Sequence, residues 1–439
     1  MTSTCMPRSA ERSPAPGEPA PAPPIRFRGQ DYRARKEFFG GTHRVVPPEE
    51  TLERARPHFR RAGITRLGDI TGLDVIGLPT VLAYRPNGKT LSSAGGKGFT
   101  TVAATVSAVM EGIELHHAEN VRLPVRRASY QELAADGAVI PRAQLPLARH
   151  GLFRDHRPEL WVEGWDLLGQ HPVWVPFIGV SLVRHPAQKP LWGRPFVCDS
   201  NGLASGNVLL EAMAAALYEV IERDAISSFK CAEHRGLLEP RRVRLETIRH
   251  PLVRQLIDQC QRAEIEPVIY DRTTDLEVPV YEAHIYDRYR RHTGVFGGYG
   301  CHLDPEIAMI RALTEAAQSR LVIIAGARDD IFRHEELSMK LADDDGAVER
   351  YERTPATLDA RDRAAVTTSS FEGDLGVLLA RLAGAGIGQV IAVDLTHEEI
   401  GLPVVRVIVP GLEGYMSQHY EPGPRARAFV AAAKARKGA

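Results

Sequence analysis

The 439-residue chain has few cysteines: its five lie far apart, and no two form a CxxC pair. A zinc ribbon and a thioredoxin-type redox motif are therefore excluded, and buried thiols in a reducing compartment are expected. The 55 lysines and arginines balance the 55 aspartates and glutamates, so the basic excess typical of nucleic-acid-binding proteins is missing. No apolar run approaches the roughly 20 residues that cross a bilayer. We expect a cytoplasmic protein that binds neither nucleic acid nor membranes.

The usual nucleotide-binding fingerprints are also missing. In the stretch GGKG, Lys97 is followed by Gly98 where a P-loop needs serine or threonine, and Ser92 stands where the P-loop needs glycine. The stretch GGYGC (297–301) does not fit the GxGxxG pattern of dinucleotide-binding folds. A nucleotide site in this chain must be built in another way.

Strand-like and helix-like patterns alternate along the chain without a dividing linker, which predicts one large mixed α/β domain, with mixed sheets packed with helices. Seven of the 31 prolines lie in the first 24 residues, so a disordered N-terminus is expected. The predicted organisation is a disordered leader (1–25), a lead-in with one helix (26–62), a main domain (63–415) and a basic tail (416–439). Segments 73–78 and 80–85 are predicted as strands.

Three helical segments, 101–118, 207–231 and 305–325, each follow a glycine-rich stretch that is predicted as a loop. The three stretches read SSAGGKG, CDSNGLASG and GGYGC. Residues three, four or seven positions apart share one face of a helix. By this rule the first helix carries Ser107, Glu111 and Glu114 on one face, and the third carries Arg311, Glu315 and Gln318. On the second helix the rule gives two pairs, Asn207 with Glu211 and Glu219 with Glu222. Glu211 and Glu222 are eleven positions apart and return to within about 20° of each other on the helix.

These faces are expected to adjoin buried apolar residues, where clustered carboxylates repel one another and are costly to desolvate. A divalent cation resolves the repulsion, and oxygen-rich clusters favour Mg²⁺. Arg223 and Arg311 could then pair with phosphate groups. The pattern therefore indicates Mg²⁺-dependent handling of a polyphosphate. The alternative is that the three faces are ordinary solvated faces of amphipathic helices.

Several long stretches, in the same order, resemble the YcaO family. The resemblance runs from about residue 63 to 414 and rests on GITRLGDITGLDVIGLP (63–79), GGKGFTTVAATVSAVMEGIE (95–114), SNGLASGNVLLEAMAAALYEVIERDA (200–225), HLDPEIAMIRALTEAAQSR (302–320) and VPGLEG (409–414). It implies a YcaO-type ATP-binding fold without a P-loop and a site for ATP and Mg²⁺. The matching positions are Lys97, Ser107, Glu111, Glu114, Asn207, Glu211, Glu219, Glu222, Arg223, Arg311 and Glu315, of which Glu111, Glu114, Glu211, Glu219 and Glu222 would bind the metal.

The resemblance also implies an activity, which is ATP-dependent activation of a peptide backbone amide by O-phosphorylation, followed by addition of a nucleophile. The stretch GTHRVVPPEET (41–51) looks like the branch that has TfuA partner proteins. This favours thioamide formation in a peptide or protein, and the resemblance suggests a homodimer. Ring-forming members typically end in a proline-rich tail, whereas the last proline here is Pro424. Azoline formation and a non-catalytic scaffold remain as alternatives, and no residue is identified as the acid or base.

Two further features have modest interpretations. His116 and His117 are adjacent, so on a helix their side chains point about 100° apart and do not easily share a metal. The basic residues between 425 and 437 predict a solvated helix end.

Overall fold

The computed structural model describes residues 22–148, 151–183, 185, 195–238, 240–289, 294–327, 346–414 and 420–438. Most of the proline-rich leader that is predicted to be disordered lies outside the described residues. None of the helices in the described ranges combines the length and apolar character that crossing a membrane requires. Helices and strands alternate as the sequence predicts, and the mixed α/β class is confirmed.

The strands of the described part are Ile25–Phe27 (β1), Gln30–Tyr32 (β2), Glu37–Phe39 (β3), Thr42–Arg44 (β4), Arg66–Asp69 (β5), Thr80–Tyr84 (β6), Ser93–Lys97 (β7), Arg126–Ala128 (β8), Glu159–Asp166 (β9), Pro172–Pro176 (β10), Leu203–Ser205 (β11), Ile265–Asp271 (β12), Val280–Asp287 (β13), Phe296–Cys301 (β14), Ile391–Asp394 (β15) and Val404–Ile408 (β16). The helices are Pro48–Ala55 (α1), Thr101–Glu119 (α2), Tyr130–Asp136 (α3), Leu209–Glu233 (α4), Pro251–Arg262 (α5), Pro305–Ala325 (α6), Phe371–Gly384 (α7) and Pro424–Gly438 (α8).

These strands pair antiparallel into five sheets. The largest has the order β10–β9–β15–β16–β11, with β8 also paired to β9. Two three-stranded sheets, β5–β6–β7 and β12–β13–β14, each run directly into a long helix, α2 and α6. The hairpins β1–β2 and β3–β4 form the lead-in. Three large apolar clusters surround α2, α4 and α6 respectively, so each of the three long helices is the centre of its own core.

The glycine-rich stretches that precede α2 and α6 are strands, and their prediction as loops was wrong. A Cβ atom at Gly96 in β7 would lie 2.1 Å from both the Ala104 carbonyl oxygen and the Ala108 nitrogen of α2. A Cβ at Gly300 in β14 would likewise lie 2.0 Å from the Ala308 carbonyl oxygen of α6. Glycine is needed at both places because strand backbone lies directly against helix backbone. The consequence is that α2 and α6 are fixed closely against their preceding strands.

A second correction concerns segment 73–78, which is not a strand. The chain forms a 3₁₀ turn at Thr71–Leu73, and Gly77 has a φ of +73°, which is incompatible with an extended strand. Asp74 instead forms a buried ion pair with Arg320 of α6, with Nε–Oδ1 at 3.0 Å. Segment 80–85 is confirmed as a strand, β6.

The basic residues near the C-terminus belong to a helix that packs on the second half of α4. Ala426 and Ala433 of α8 are buried, and the Phe429 ring lies 4.9 Å from the Phe229 ring of α4. Arg425 donates to the Asp224 carboxylate at 2.8 Å. The expectation of a purely solvated helix end was therefore wrong, because one face of α8 is part of the core.

Candidate functional site

The three strand–helix units are joined cyclically. Helix α2 contacts β11, which precedes α4; α4 contacts β14, which precedes α6; and α6 contacts β7, which precedes α2. Each long helix therefore packs both on the strand that precedes it and on the strand of another unit. The polar faces of the three helices meet at a common centre. We call this centre the carboxylate cleft and define it by the residues described next.

Helix α2 brings two carboxylates to the cleft. Its first turn is capped by the Thr100 side chain, which accepts a hydrogen bond from the Ala103 backbone. Glu111 accepts a hydrogen bond from the Gly95 backbone at 3.1 Å, and Glu114 accepts one from the Ser205 backbone at 2.8 Å. Burial, followed by repulsion from Glu111 and other carboxylates, raises the pKa of Glu114 well above its ordinary value. Ser107 lies half-buried, one turn before Glu111.

Glu211, in the first turn of α4, is the most firmly held carboxylate of the cleft. It is 2% exposed, and its Oε2 accepts a hydrogen bond from the Val45 backbone at 3.0 Å. Its Oε1 accepts from the Asn207 backbone at 3.3 Å and from the Asn207 side-chain amide at 3.2 Å. The Arg44 Nε lies 3.6 Å from Oε1. The lead-in therefore takes part in building the cleft.

Glu219 and Glu222, farther along α4, have too few partners for their burial. Burial raises the pKa of both carboxyl groups to about 7, and repulsion from Glu315 adds to the effect at Glu222. Glu222 is 3% exposed, and its Oε2 has no hydrogen-bond partner among the described residues. Arg223 lies 3.9 Å from Glu219. The cleft thus holds carboxylates whose negative charge is incompletely compensated.

Cationic side chains border these carboxylates. Lys97 Nζ donates to Gln318 at 2.9 Å and lies 3.8 Å from Glu315, which joins β7 to α6. The Arg311 Nε is buried and has no hydrogen-bond acceptor in the described part of the chain. The pKa of Arg44 is lowered by burial and, to a smaller extent, by the charge of Arg311. The guanidinium groups of Arg44 and Arg311 thus repel each other beside a carboxylate cluster. An anionic ligand would pair with the two guanidinium groups, and a cation bound to that ligand would pair with the carboxylates.

The donor set of the cleft fits Mg²⁺. All the candidate ligands, from Glu111 to Glu222, offer carboxylate oxygens, which this hard cation prefers. A dication would relieve the repulsion between Glu222 and Glu315, and it would give the unpartnered Glu222 oxygen a partner. The contacts described above link the residues predicted for the ATP and Mg²⁺ site, with the exception of Ser107. Ser107 is placed only by its position on α2, one turn before Glu111.

Sequence reasoning missed several residues of this cleft. Arg44 and Val45 contact Glu211 from a hairpin 166 residues earlier in the chain. Arg406 of β16 pairs with Asp199 at 2.7 Å, and both charges act on Glu219. The motif GTHRVVPPEET contains Arg44 and Val45, so a signal was present, but nothing local in the motif indicates what it contacts.

A group of histidines and one carboxylate lies behind the cleft, between the lead-in and α7. Ligand atoms of His43, His302 and Asp374 lie within 4.8 Å of one another. However, the Lys36 ammonium donates to the Asp374 carboxylate and already supplies a cation. His302 Nδ1 accepts a hydrogen bond from the Asp304 backbone at 2.9 Å, so in the neutral ring its other nitrogen carries the proton. This group is better described as a buried polar network than as a metal site.

Comparisons with known proteins agree with this geometry. A family model described as YcaO cyclodehydratase, ATP- and Mg²⁺-binding, matches residues 95–413. A Rhizobium leguminosarum bv. trifolii protein, described as lying in the tfuA 3′ region, is 35% identical over 86% of this chain and 90% of its own length. An uncharacterized Methanothermobacter thermautotrophicus protein is 35% identical over 88% of this chain and 99% of its own.

Solved structures share the fold. The YcaO of Methanopyrus kandleri, bound to AMPPCP and Mg²⁺, matches 88% of this chain and 99% of its own at 26% identity, with a TM-score of 0.68. A heterocyclase in complex with substrate and cofactor matches 92% of this chain at 21% identity, with a TM-score of 0.75. The chain spans 57% of that heterocyclase, so this match bears on the fold alone.

Proposed function

Because this chain belongs to the YcaO family, whose members bind ATP and Mg²⁺, we propose that it activates a peptide backbone amide and, with a TfuA-type partner, forms a thioamide. An ATP-dependent peptide-modifying enzyme is the coarser statement that family membership supports. The observation that carries the proposal is the carboxylate cleft, where acidic residues of three helices meet Lys97, Arg223 and Arg311.

Each side of the cleft has a separate task in this proposal. Glu111, Glu114, Glu211, Glu219 and Glu222 would hold Mg²⁺, which supplies charge neutralisation for the phosphate groups of ATP. Lys97, Arg44, Arg223 and Arg311 would pair with phosphate oxygens, since guanidinium groups match them in charge and geometry. Asn207 and Val45 fix the Glu211 carboxylate, so that little reorganisation is needed on binding.

The proposed reaction balances with the peptide amide, ATP and hydrogen sulfide ion as its reactants. The amide oxygen attacks the γ-phosphorus of ATP and ADP leaves, which converts a poor leaving group into a phosphate ester. Hydrogen sulfide ion adds to the former carbonyl carbon, and the carbon–oxygen bond breaks as phosphate departs. The products are a thioamide, ADP and hydrogen phosphate, the last of which carries the proton brought by the sulfide. The residues of the cleft position the phosphates and stabilise their charge.

Two observations favour sulfide over a ring-forming side chain. One relative at 35% identity comes from a tfuA region, and the motif at residues 41–51 resembles the TfuA-associated branch. In addition, residues 424–438 are held on α4, where Lys437 donates to the Gly236 carbonyl oxygen. Gly236 lies three residues beyond Glu233, where α4 ends, and Glu233 is eleven residues, about 17 Å along the helix, from Glu222. The end of α8 near Lys437 therefore lies away from the cleft, although Arg425 at its start pairs with Asp224, two residues after Glu222.

Azoline formation is the second candidate, because the matching family is described as cyclodehydratase. Its nucleophile would be a Cys, Ser or Thr side chain of the peptide. Subunit association as a homodimer is part of the proposal and is independent of the choice between nucleophiles.

The test is a reaction of purified protein, a TfuA-type partner, a candidate peptide, ATP and sulfide, followed by mass spectrometry of the peptide and measurement of ADP. Thioamidation exchanges one oxygen for sulfur and requires sulfide. Azoline formation loses one water per ring without sulfide. Absence of peptide-stimulated ADP release even with the partner present would refute both enzymatic proposals and favour a scaffold. Glu222→Gln should lose peptide-stimulated ADP release, and Glu53→Gln, which changes an exposed glutamate of α1, is the matched control that should retain it.

A further inference from the structure

A cluster of three histidines lies at the end of α2, outside the carboxylate cleft. His116 and His117 lie in the last turn of α2, which ends at Glu119, and His397 lies in the segment between β15 and β16. The ring centroids of His117 and His397 are 4.3 Å apart, those of His116 and His397 5.5 Å, and those of His116 and His117 5.9 Å. His117 and His397 are buried, with 0% and 2% exposure. We call these three residues the histidine cluster.

Hydrogen bonds determine where the ring protons of His117 and His397 lie. His117 Nδ1 is 2.7 Å from the Ile113 carbonyl oxygen, and His397 Nε2 is 2.9 Å from the Asn120 carbonyl oxygen. A carbonyl oxygen can only accept, so each of these nitrogens carries a proton in the neutral ring. The opposite nitrogens, His117 Nε2 and His397 Nδ1, therefore present lone pairs. Both are buried and have no partner among the described residues.

Two buried lone pairs of neighbouring rings cannot satisfy each other. A buried acceptor without a donor costs about 1–3 kcal/mol, so something outside the described atoms is expected to pair with them. The third ring, His116, also has a buried nitrogen, Nε2, without a partner in the described part of the chain.

The arrangement has the features of a metal site. A histidine that binds a metal almost always donates its other ring N–H to a carbonyl or carboxylate, as His117 and His397 both do. With zinc–nitrogen bonds of about 2.0–2.1 Å and tetrahedral angles, ring centroids lie about 5 Å apart, which is within the range observed here. We propose that the histidine cluster binds a transition-metal dication such as Zn²⁺, with His117 Nε2 and His397 Nδ1 as its first two ligands and His116 as the third.

His116 is the least constrained ligand of the three. Adjacent helical residues diverge, which is why the sequence alone argued against a shared metal, but His397 faces both rings from another element. As placed, the three rings do not offer one nitrogen each with all three atoms within 4.8 Å of one another, so the His116 ring has to turn to complete the site. Its Nδ1 has only a long contact, 3.5 Å, to the Asn120 side-chain amide, and the turn is therefore expected to cost little. A water molecule would complete a four-coordinate site.

The charges near the cluster are mixed: three arginines disfavour added positive charge on its rings, and the two glutamates that pair with these arginines favour it. Arg122 and Arg61 both pair with Glu399, and Arg85 pairs with Glu119 inside the core. Imidazole nitrogens favour Zn²⁺ or similar ions, whereas carboxylate oxygens favour Mg²⁺. The two sites are therefore chemically distinct, and excess Mg²⁺ should block zinc at the carboxylate cleft without removing it from the histidine cluster.

The experiment measures metal content. The full-length protein is equilibrated with Zn²⁺ in millimolar Mg²⁺, freed of unbound zinc by gel filtration and analysed by plasma mass spectrometry. We expect about one zinc per chain, and His397→Gln or His117→Gln should weaken zinc binding by at least about tenfold. His234→Gln, an exposed histidine after α4, is the matched control and should retain the metal.

Cobalt gives a readout that needs no variant, in case the buried substitutions prevent folding. Co²⁺ bound to the wild-type protein in excess Mg²⁺ should give the visible absorption of a nitrogen-ligated tetrahedral ion. The proposal is overturned if wild-type protein retains no stoichiometric zinc and shows no such band, in which case a buried water pairs with the lone pairs. It is equally overturned if His397→Gln folds and retains as much zinc as the control.

Discussion

Replacing Glu222 with glutamine should stabilise the ligand-free protein while removing its response to Mg²⁺ and ATP. Burial and repulsion from Glu315 raise the pKa of the Glu222 carboxyl group to about 7, against an ordinary value of 4.5. The folded protein therefore keeps a proton that the unfolded chain releases at lower pH. By linkage, the folded state loses stability as the pH rises from about 4.5 to about 7, and the loss is complete above that range.

The magnitude follows from these two values. At about 1.4 kcal/mol for each pKa unit, the difference corresponds to at most about 3 kcal/mol at pH 8, and Glu315 shares this cost because the two carboxylates repel each other. An unfolding entropy of about 2.1 cal/mol/K per residue gives about 0.9 kcal/mol/K for this chain, so the variant should melt up to about 3 °C higher. Near pH 5 most of this difference should disappear, because the folded state is still protonated and the pH is only about half a unit above the pKa of the unfolded chain.

The assay is thermal unfolding near pH 5 and near pH 8, with and without Mg²⁺ and ATP. Wild-type protein should gain stability from the ligands at pH 8, whereas Glu222→Gln should start higher and gain little. Glu53→Gln should behave as wild type under all four conditions. A lower melting temperature of the ligand-free variant at pH 8 would refute the uncompensated charge. A normal ligand response would refute the assignment of Glu222 to the site.

Three other substitutions test separate parts of the structure. Arg44→Gln should weaken binding of Mg²⁺ and ATP by about tenfold or more in calorimetry, because Glu211 loses a charged neighbour and the cleft loses a phosphate partner; unchanged affinity would exclude the lead-in from the site. Gly96→Ala should cost more than about 3 kcal/mol or prevent folding, since its methyl group would overlap α2 backbone, while Gly72→Ala, which meets nothing within 4 Å, should fold and melt close to wild type. Lys36→Met should destabilise the protein by about 3–5 kcal/mol because the buried Asp374 carboxylate loses its cation, and the double variant Lys36→Met, Asp374→Leu should recover part of this loss in denaturant titrations.

The long helices could be predicted from the sequence because their signals are local. The predicted segment 305–325 coincides with α6, and the predicted segments for α2 and α4 differ from the structure by at most two residues at either end. Carboxylates at helical spacing share a face wherever the helix lies, so their grouping on each helix also needed no tertiary information. The convergence of the three faces at one cleft did require tertiary information, and only the family resemblance indicated this convergence in advance.

The failures come from two kinds of contact. Glycine near Gly96 and Gly300 is a loop signal in the sequence, whereas its reason in the structure is the close approach of the backbone of the helix that directly follows. The other two failures involve contacts that are distant along the chain. Arg44 was missed because its partner Glu211 is 167 residues away. The strand predicted at 73–78 failed because Asp74 binds Arg320, again across most of the domain.

With ATP bound in the carboxylate cleft as proposed, the cyclic joining of the three strand–helix units would make the nucleotide a cross-link between the three cores. No single apolar cluster contains a complete site, so a ligand in the cleft can bind only when all three clusters are folded at once. Its binding free energy should then appear as slowed amide hydrogen exchange in all three cores, including parts of α6 far from any phosphate. A protein of this size could otherwise open one core at a time. With ATP and Mg²⁺ bound, the three cores should unfold as a single cooperative unit.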